Sequence, residues 1–193
     1  MEGVLQDLIV SQVYTFILVF ARIGSAMMII PGIGDSYVPQ RIRLLFSLCF
    51  AVILTPVVDP YLPDLPGPSP AFLFLVLGEF IIGIFIGTIA RILMSALDTA
   101  GMVISTNMGL ANAMIFNPAS AAQGSVVGAF LSIVGAVLLF STQLHHLMIF
   151  ALVDSYQSFA PGVIPASEDM AELVAKTVNE SFSIGFRMAV PFI

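Results

Sequence analysis

Three ionisable side chains, Arg22, Glu79 and Arg91, occur inside long apolar stretches of the sequence. A charge at the centre of a bilayer costs roughly 2.5 to 3.5 kcal/mol on insertion scales, so such side chains face protein or water and not lipid. Two kinds of chemistry would use them: structural pairing between neighbouring helices, or a relay for protons or ions. Asp98 follows Arg91 by seven residues and is a candidate partner for it. The sequence leaves both alternatives open.

The spacing of residues in the third apolar stretch predicts a helix face. Glu79, Gly83, Gly87 and Arg91 recur every four residues, so they form one slowly drifting stripe on a helix. The two glycines form a small-xxx-small motif, which lets another backbone come close. We expect this stripe to be a buried packing face with a charge at each end.

Metal binding and catalysis have little support in the sequence. His145 and His146 are adjacent, so they point about 100° apart on a helix, and no Cys or acidic residue four positions on completes a ligand set. Metalloprotease, nucleotide-binding and serine-hydrolase motifs do not occur. We therefore expect no metal, no cofactor and no enzyme activity, and we expect the one cysteine, Cys49, to be a small buried hydrophobe.

The composition is that of a membrane protein. Hydrophobic residues make up 59% of the 193 residues and charged residues 9%, against about a quarter charged in soluble domains. With six Lys and Arg and a net charge of −6, the chain has no basic patch for nucleic acid. We expect one all-α membrane domain over 1–193, truncated at its C-terminus because an apolar stretch is still running there. The apolar stretches cover 8–30, 44–58, 71–97, 126–153 and 181–193.

Helix breaks and topology follow from proline and charge. The connection 59–70 holds five prolines and cannot be helical throughout. Ser167, followed by acidic residues, predicts the N-terminus of a short amphipathic surface helix. Arg41 and Arg43 place the connection after the first stretch in the cytoplasm, which puts the acidic N-terminus and 59–70 outside.

Residues 107–125, NMGLANAMIFNPASAAQGS, connect two strongly apolar stretches without a single charge. Small side chains and uncharged amides offer a passing polypeptide no fixed charge to bind. Methionine and other apolar side chains in this segment can close on one another without a rigid fit. The alternative is a structural turn at membrane depth, packed within the helix bundle.

Four segments together resemble the family of the flagellar biosynthetic protein FliR and its relatives in type III secretion export gates. They match that family in order and spacing, and they cover nearly the whole chain. Members of the family continue beyond the position of residue 193 with further apolar helices. The segments are ARIGSAMMIIPGIGDSYVPQRIRLLFSLCFAVILTP at 21–56, GEFIIGIFIGTIARILMSALDTAG at 78–101, NMGLANAMIFNPAS at 107–120 and HLMIFALVDSYQSFAPG at 146–162.

The resemblance implies an architecture and a set of partners. Integral membrane helical hairpins would join FliP and FliQ homologues in a helical gate around a secretion channel, in the bacterial inner membrane at a flagellar basal body or injectisome. FlhB and FlhA homologues and unfolded export substrates would be further partners. Arg22, Glu79 and Arg91 would be buried between subunits, where irregular backbone is also tolerated.

The resemblance also implies that 107–125 is an inward, re-entrant loop that plugs the closed channel. The family's aromatic-x-Pro-Ala-Ser pattern is present here as FNPAS at 116–120. The implied plug residues are Met108, Gly109, Met114, Ile115, Phe116, Asn117 and Pro118.

Two other functions remain to be weighed. Half of an ion-coupled secondary transporter would place its site at Glu79 and Arg91, near broken helices at the midplane. A structural scaffold without contact to a pore would never crosslink to an exported protein.

Overall fold

A computed structural model describes residues 2–63, 69–109, 125–162 and 167–193 of the chain. Within these ranges the secondary structure is helical, with no strand, which confirms the all-α prediction. Two 3-10 turns, Asp59–Tyr61 and Val190–Phe192, follow the second and the last helix. The helices are α1 Glu2–Ile29, α2 Gln40–Val58, α3 Ser69–Asn107, α4 Val126–Ser141, α5 Leu144–Ser158 and α6 Ser167–Ala189.

Within the described ranges, three helices are long and apolar enough to cross a membrane. These are Ile9–Ile29 in α1, Gln40–Tyr61 in α2 with its 3-10 turn, and Pro70–Asn107 in α3. A span needs about 20 apolar residues, and α4 and α5 reach that length only as a pair, which is bent by 75°. The membrane class expected from composition is therefore confirmed.

The bend between α4 and α5 was not expected, because 126–153 is apolar almost throughout. The break falls on the polar run Ser141–Thr142–Gln143, where Gln143 adopts a φ of 62°. The hydroxyls of Ser141 and Thr142 donate to the carbonyl of Leu138 at 3.1 and 2.6 Å. Side chains that bond back to the helix in this way compete with its continuation.

The last helix begins where the sequence predicted and ends later. α6 starts at Ser167, with Glu168 and Asp169 in its first turn, where acidic side chains favour the positive end of the helix dipole. The prediction of a short helix is wrong, because α6 runs without a break to Ala189. The apolar stretch expected from residue 181 is thus the second half of the same helix.

The chain forms two compact units. The first unit holds Met1–Thr88 and His146–Ala166, and the second holds Ile89–His145 and Ser167–Ile193. In the first unit, α1 supplies most of the core: Val19, Ile23 and Met27 pack with α2 and with Tyr156 of α5. Ala26 and Ile30 form a second cluster with Leu152. α1 is therefore the central helix of the first unit.

The side chain of Cys49 is exposed on α2, so the expectation of a buried cysteine is wrong for this chain. α2 buries one narrow face, made of Ser47, Ala51, Thr55 and Val58. Cys49 lies two residues after Ser47 and so points about 200° away from that face.

Candidate functional site

Arg22 of α1 and Glu79 of α3 form a buried ion pair in the first unit. Their side chains are 0% and 1% exposed. The Nε of Arg22 donates to one carboxylate oxygen of Glu79 at 2.6 Å, and Nη2 donates to the other at 3.0 Å. This two-pronged geometry is the strong form of the guanidinium–carboxylate contact.

The end of α5 completes the surroundings of Arg22. Nη1 donates to the hydroxyl of Ser155 at 3.1 Å, and Nη2 donates to the carbonyl of Phe159 at 2.9 Å. The guanidinium carbon lies 3.8 Å from the centroid of the Tyr156 ring, a cation–π contact. Arg22 thereby joins three helices, and four of the five N–H groups of its guanidinium have partners.

The position of the ion pair corrects the expectation that Arg22 and Glu79 are buried between subunits. Arg91 does not lie on the same helix face as Glu79. Arg22 and Glu79 are buried within this chain, not between subunits, because α1, α3 and α5 enclose them without a second molecule. Arg91 is exposed on this chain. Each four-residue step overshoots a full helical turn by about 40°, so Arg91 lies about 120° around α3 from Glu79. Its burial against another subunit stays a prediction.

Gly83 and Gly87 face α1 directly. A Cβ on Gly83 would overlap the Ser25 hydroxyl and the Arg22 carbonyl oxygen. A Cβ on Gly87 would lie 2.9 Å from the carbonyl oxygen of Ala26 and 3.0 Å from the Cβ of Ile29. The structure thus places Glu79, Gly83 and Gly87 on one face against α1, and this close approach brings Glu79 within reach of Arg22.

The uncharged segment 107–125 begins at the C-terminus of α3. The Met108 amide donates to the Ile104 carbonyl at 2.9 Å, and the Gly109 amide donates to the Thr106 carbonyl at 3.1 Å. Gly109 has a φ of 73°, the left-handed conformation that often ends helices. Met108 is 62% exposed. The other five predicted plug residues, Met114, Ile115, Phe116, Asn117 and Pro118, lie outside the described residues.

Where the segment ends, α3 and α4 meet at a junction, which we define by Gly101, Ser125 and Gly128. The Ser125 hydroxyl caps α4 by accepting from the Gly128 amide at 3.2 Å, and it donates to the Gly101 carbonyl at 2.9 Å. A Cβ on Gly101 would overlap the backbone of Gly128. One turn further along α4, Ser132 donates to Asp98 at 2.6 Å, which gives Asp98 a partner that the sequence did not suggest.

A second close contact in the second unit joins α3 to α6. The Ser181 hydroxyl donates to the Ile92 carbonyl at 2.7 Å and lies 3.3 Å from the hydroxyl of Ser95. A Cβ on Gly185 would lie 2.8 Å from the carbonyl oxygen of Ala96. Sequence reasoning missed this contact, although Thr177, Ser181, Gly185 and Ala189 recur every four residues, which is the available signal.

No metal site is evident in the described part of the chain, since it holds no group of three His, Cys, Asp or Glu side chains that could bind an ion. His145 lies beside the Phe140 ring, with centroids 5.2 Å apart.

The fold and the buried pair define an all-α integral membrane protein in which one ion pair, Arg22 with Glu79, is enclosed by the chain's own helices. The profile of a family described as "Bacterial export proteins, family 1" matches residues 13–193. The chain belongs to this family, which comprises the FliR proteins of flagellar export and their type III secretion relatives.

Individual relatives agree with the family match. The chain is 41% identical over 182 residues to the flagellar biosynthetic protein FliR of Caulobacter vibrioides, covering 94% of this chain and 72% of the relative. It is 29% identical over 181 residues to the FliR protein of Bacillus subtilis, covering 92% and 69%. The Yop proteins translocation protein T of Yersinia pestis is 28% identical over 197 residues, covering 97% and 72%.

Proposed function

We propose that this chain is a subunit of a type III export gate in the bacterial inner membrane, where it lines and closes the channel for unfolded exported proteins. The family and the names of its relatives, flagellar biosynthetic protein and Yop translocation protein, support an export component. Channel closure is the more specific part of the proposal and rests on the segment 107–125.

The observation that carries the proposal is the junction of α3 and α4. Ser125 begins α4 at the junction itself, and Gly109 lies only eight residues beyond Gly101, about 12 Å along a helix. Ser125 is therefore held against α3 by a backbone contact and one hydrogen bond, and the other end of the uncharged segment leaves the same helix about 12 Å further on. An uncharged segment whose two ends leave neighbouring helices at this junction supports the proposed role in closing the channel.

Partner subunits are part of the same proposal. FliP and FliQ homologues would cover this chain's outer helices, with FlhB and FlhA homologues as neighbours. Large apolar side chains on both outer helices of the first unit are exposed, and these form the surface on which partner helices or lipid would pack. Examples are Leu45 at 61% and Ile53 at 65% on α2, and Leu73 at 59% and Phe74 at 73% on α3.

The test is a double substitution in the segment, Met114→Ser with Phe116→Ser, made in the complete complex. Losing two well-packed apolar side chains costs about 1.5 to 3 kcal/mol each, so a closed state that depends on them loses more than tenfold in population. We expect the permeability of the membrane to small solutes to rise while the yield of purified complex is unchanged.

The matched control is Met102→Ser with Phe130→Ser, which removes the same two side-chain types from exposed positions on α3 and α4. We expect no added permeability from this control. Normal assembly without added permeability in the Met114 and Phe116 variant would exclude a plug. Reduced assembly without leakage in the surviving complex would instead identify the segment as a structural turn.

A further inference from the structure

Of the three candidate spans in the described residues, the one in α1 is the least apolar and the most enclosed by protein. Among the three candidate spans, the one in α1 has the lowest mean hydropathy, and 56% of it is buried inside the chain, against 22% for each of the other two. α1 is also the first span in the sequence. It therefore precedes the helices that cover it.

Because Arg22 is charged, the position of α1 ahead of its covering helices affects how α1 can be inserted into the membrane. Arg22 lies in the inner part of the span Ile9–Ile29, and an unpaired arginine there lowers the inserted population on the order of a hundredfold. The groups that satisfy it come much later in the chain. Glu79 follows by 57 residues, Ser155 by 133 and Phe159 by 137. Glu79 is the only one of these three that carries a compensating charge.

We propose that Glu79 holds α1 in the membrane: α1 takes its transmembrane position only together with α3, and this dependence runs in one direction. α3 carries Glu79 in the longest and most apolar of the three spans, so α3 inserts whether or not Arg22 is present. α1 has no such excess of apolar residues to offset Arg22. The ion pair is thus an insertion device for the first helix as well as a contact of the finished fold.

The proposal can be tested in the full chain with two cysteine reporters. In a Cys49→Ser background, Gly3→Cys marks the N-terminal end of α1 and Ser36→Cys marks the turn that follows it. When α1 spans the membrane, a membrane-impermeant thiol reagent reaches these two cysteines from opposite sides. When α1 fails to span, it reaches both from the same side.

Three variants separate the proposal from a general packing defect. With Glu79→Leu we expect the fraction of chains labelled on the same side to rise at least tenfold. With Arg22→Leu, and with Arg22→Leu and Glu79→Leu together, we expect that fraction to stay within twofold of the wild type. Glu180→Leu removes an exposed carboxylate from α6 and is the matched control, for which we expect no change.

The proposal is overturned if α1 spans normally in Glu79→Leu, if the double variant fails to restore it, or if Arg22→Leu alone displaces α1. Should the Glu79→Leu chain be degraded, Glu79→Gln serves instead. It keeps one acceptor oxygen but not the charge, so we expect the same displacement, and a normally spanning α1 in that variant would contradict the role of charge.

Discussion

Arg22 illustrates the conditions under which a charge can be buried. A buried ion pair contributes little to stability unless its remaining hydrogen-bonding groups are satisfied. Around Arg22, Glu79 supplies both carboxylate oxygens, while a hydroxyl, a backbone carbonyl and an aromatic face complete the shell. Structural pairing requires this nearly complete set of hydrogen-bond partners around a buried charge. A coupled ion or proton would first have to displace Glu79 from its two contacts with Arg22.

Comparing single and double substitutions distinguishes structural pairing from a relay. Glu79→Ala removes the counter-charge of Arg22, and breaking a buried pair in this way costs about 3 to 5 kcal/mol. We expect lower complex yield and a lower melting temperature. Replacing both residues by leucine is expected to restore thermal stability close to the wild-type value, because apolar replacements of buried pairs are commonly neutral or stabilising.

Export measured on the assembled double variant then decides the role of the pair. Structural pairing predicts export close to the wild-type rate in the complex that forms. A relay predicts normal complex yield with export abolished, and that result would favour the ion-coupled function.

Tyr156 is buried beside Arg22, and removal of its hydroxyl should change the stability of the first unit. Its side chain is 1% exposed, and its hydroxyl has no hydrogen-bond partner within the described residues. Tyr156→Phe keeps the ring beneath Arg22 and removes a buried unsatisfied group, so we expect a gain of about 1 to 3 kcal/mol. Tyr156→Leu loses the cation–π contact, worth roughly 2 kcal/mol when desolvated. Thermal melting of the two variants should move in opposite directions, and a loss in Tyr156→Phe would reveal a partner for the hydroxyl.

The sequence identified the charged residues better than their partners. Arg22 and Glu79 stood out because an ionisable group in an apolar stretch is rare. Their pairing depends on a contact across 57 residues, for which one sequence has no local signal. Ser155, Tyr156 and the Phe159 carbonyl were not found for the same reason. The drift of the helical period takes Arg91 off the face that Glu79 shares with the two glycines.

At the scale of elements, the approach of α3 to α1 depends on a glycine. We expect Gly83→Ala to destabilise the first unit, because the added methyl group overlaps the Ser25 hydroxyl and the Arg22 backbone. Overpacking of this kind costs about 1 to 3 kcal/mol. The measurement is the melting temperature of the assembled complex.

Gly78 provides the matched control on the same helix. A Cβ there meets nothing within 4 Å, and alanine is favoured over glycine in a helix by roughly 0.5 to 1 kcal/mol. Gly78→Ala should therefore leave the melting temperature unchanged or raise it. Equal effects of the two substitutions would show that the face of Gly83 is not a close contact.

The ends of helices could be predicted where particular residue types mark them. The prolines of 59–70 and the acidic start at Ser167 marked such ends. The bend between α4 and α5 was missed because three polar residues in a long apolar run do not outweigh its hydropathy, although the hydroxyls of Ser141 and Thr142 bond back to the helix where it ends. The close contact of α3 with α4 depends on Gly101 and Gly128, which lie far apart in sequence and show no common pattern.

For the whole molecule, the exposed apolar surface predicts dependence on other subunits. The chain exposes large apolar residues on most of its described helices, a surface that lipid or other subunits must cover. We expect the chain expressed alone to aggregate on extraction in mild detergent, and co-expression with FliP and FliQ homologues to give a monodisperse complex. A stable, monodisperse chain in the absence of those partners would favour an independent transporter.

The length of α3 exceeds what a bilayer can accommodate. Its 39 residues follow a path of about 58 Å, whereas a hydrocarbon core is about 30 Å thick. Even at a steep tilt of about 40°, only about 26 residues fit within that thickness. About 13 residues of a strongly apolar helix are left over, a severe hydrophobic mismatch. Vesicles that hold this chain alone should therefore favour thicker bilayers, and that preference should weaken once other subunits cover the excess.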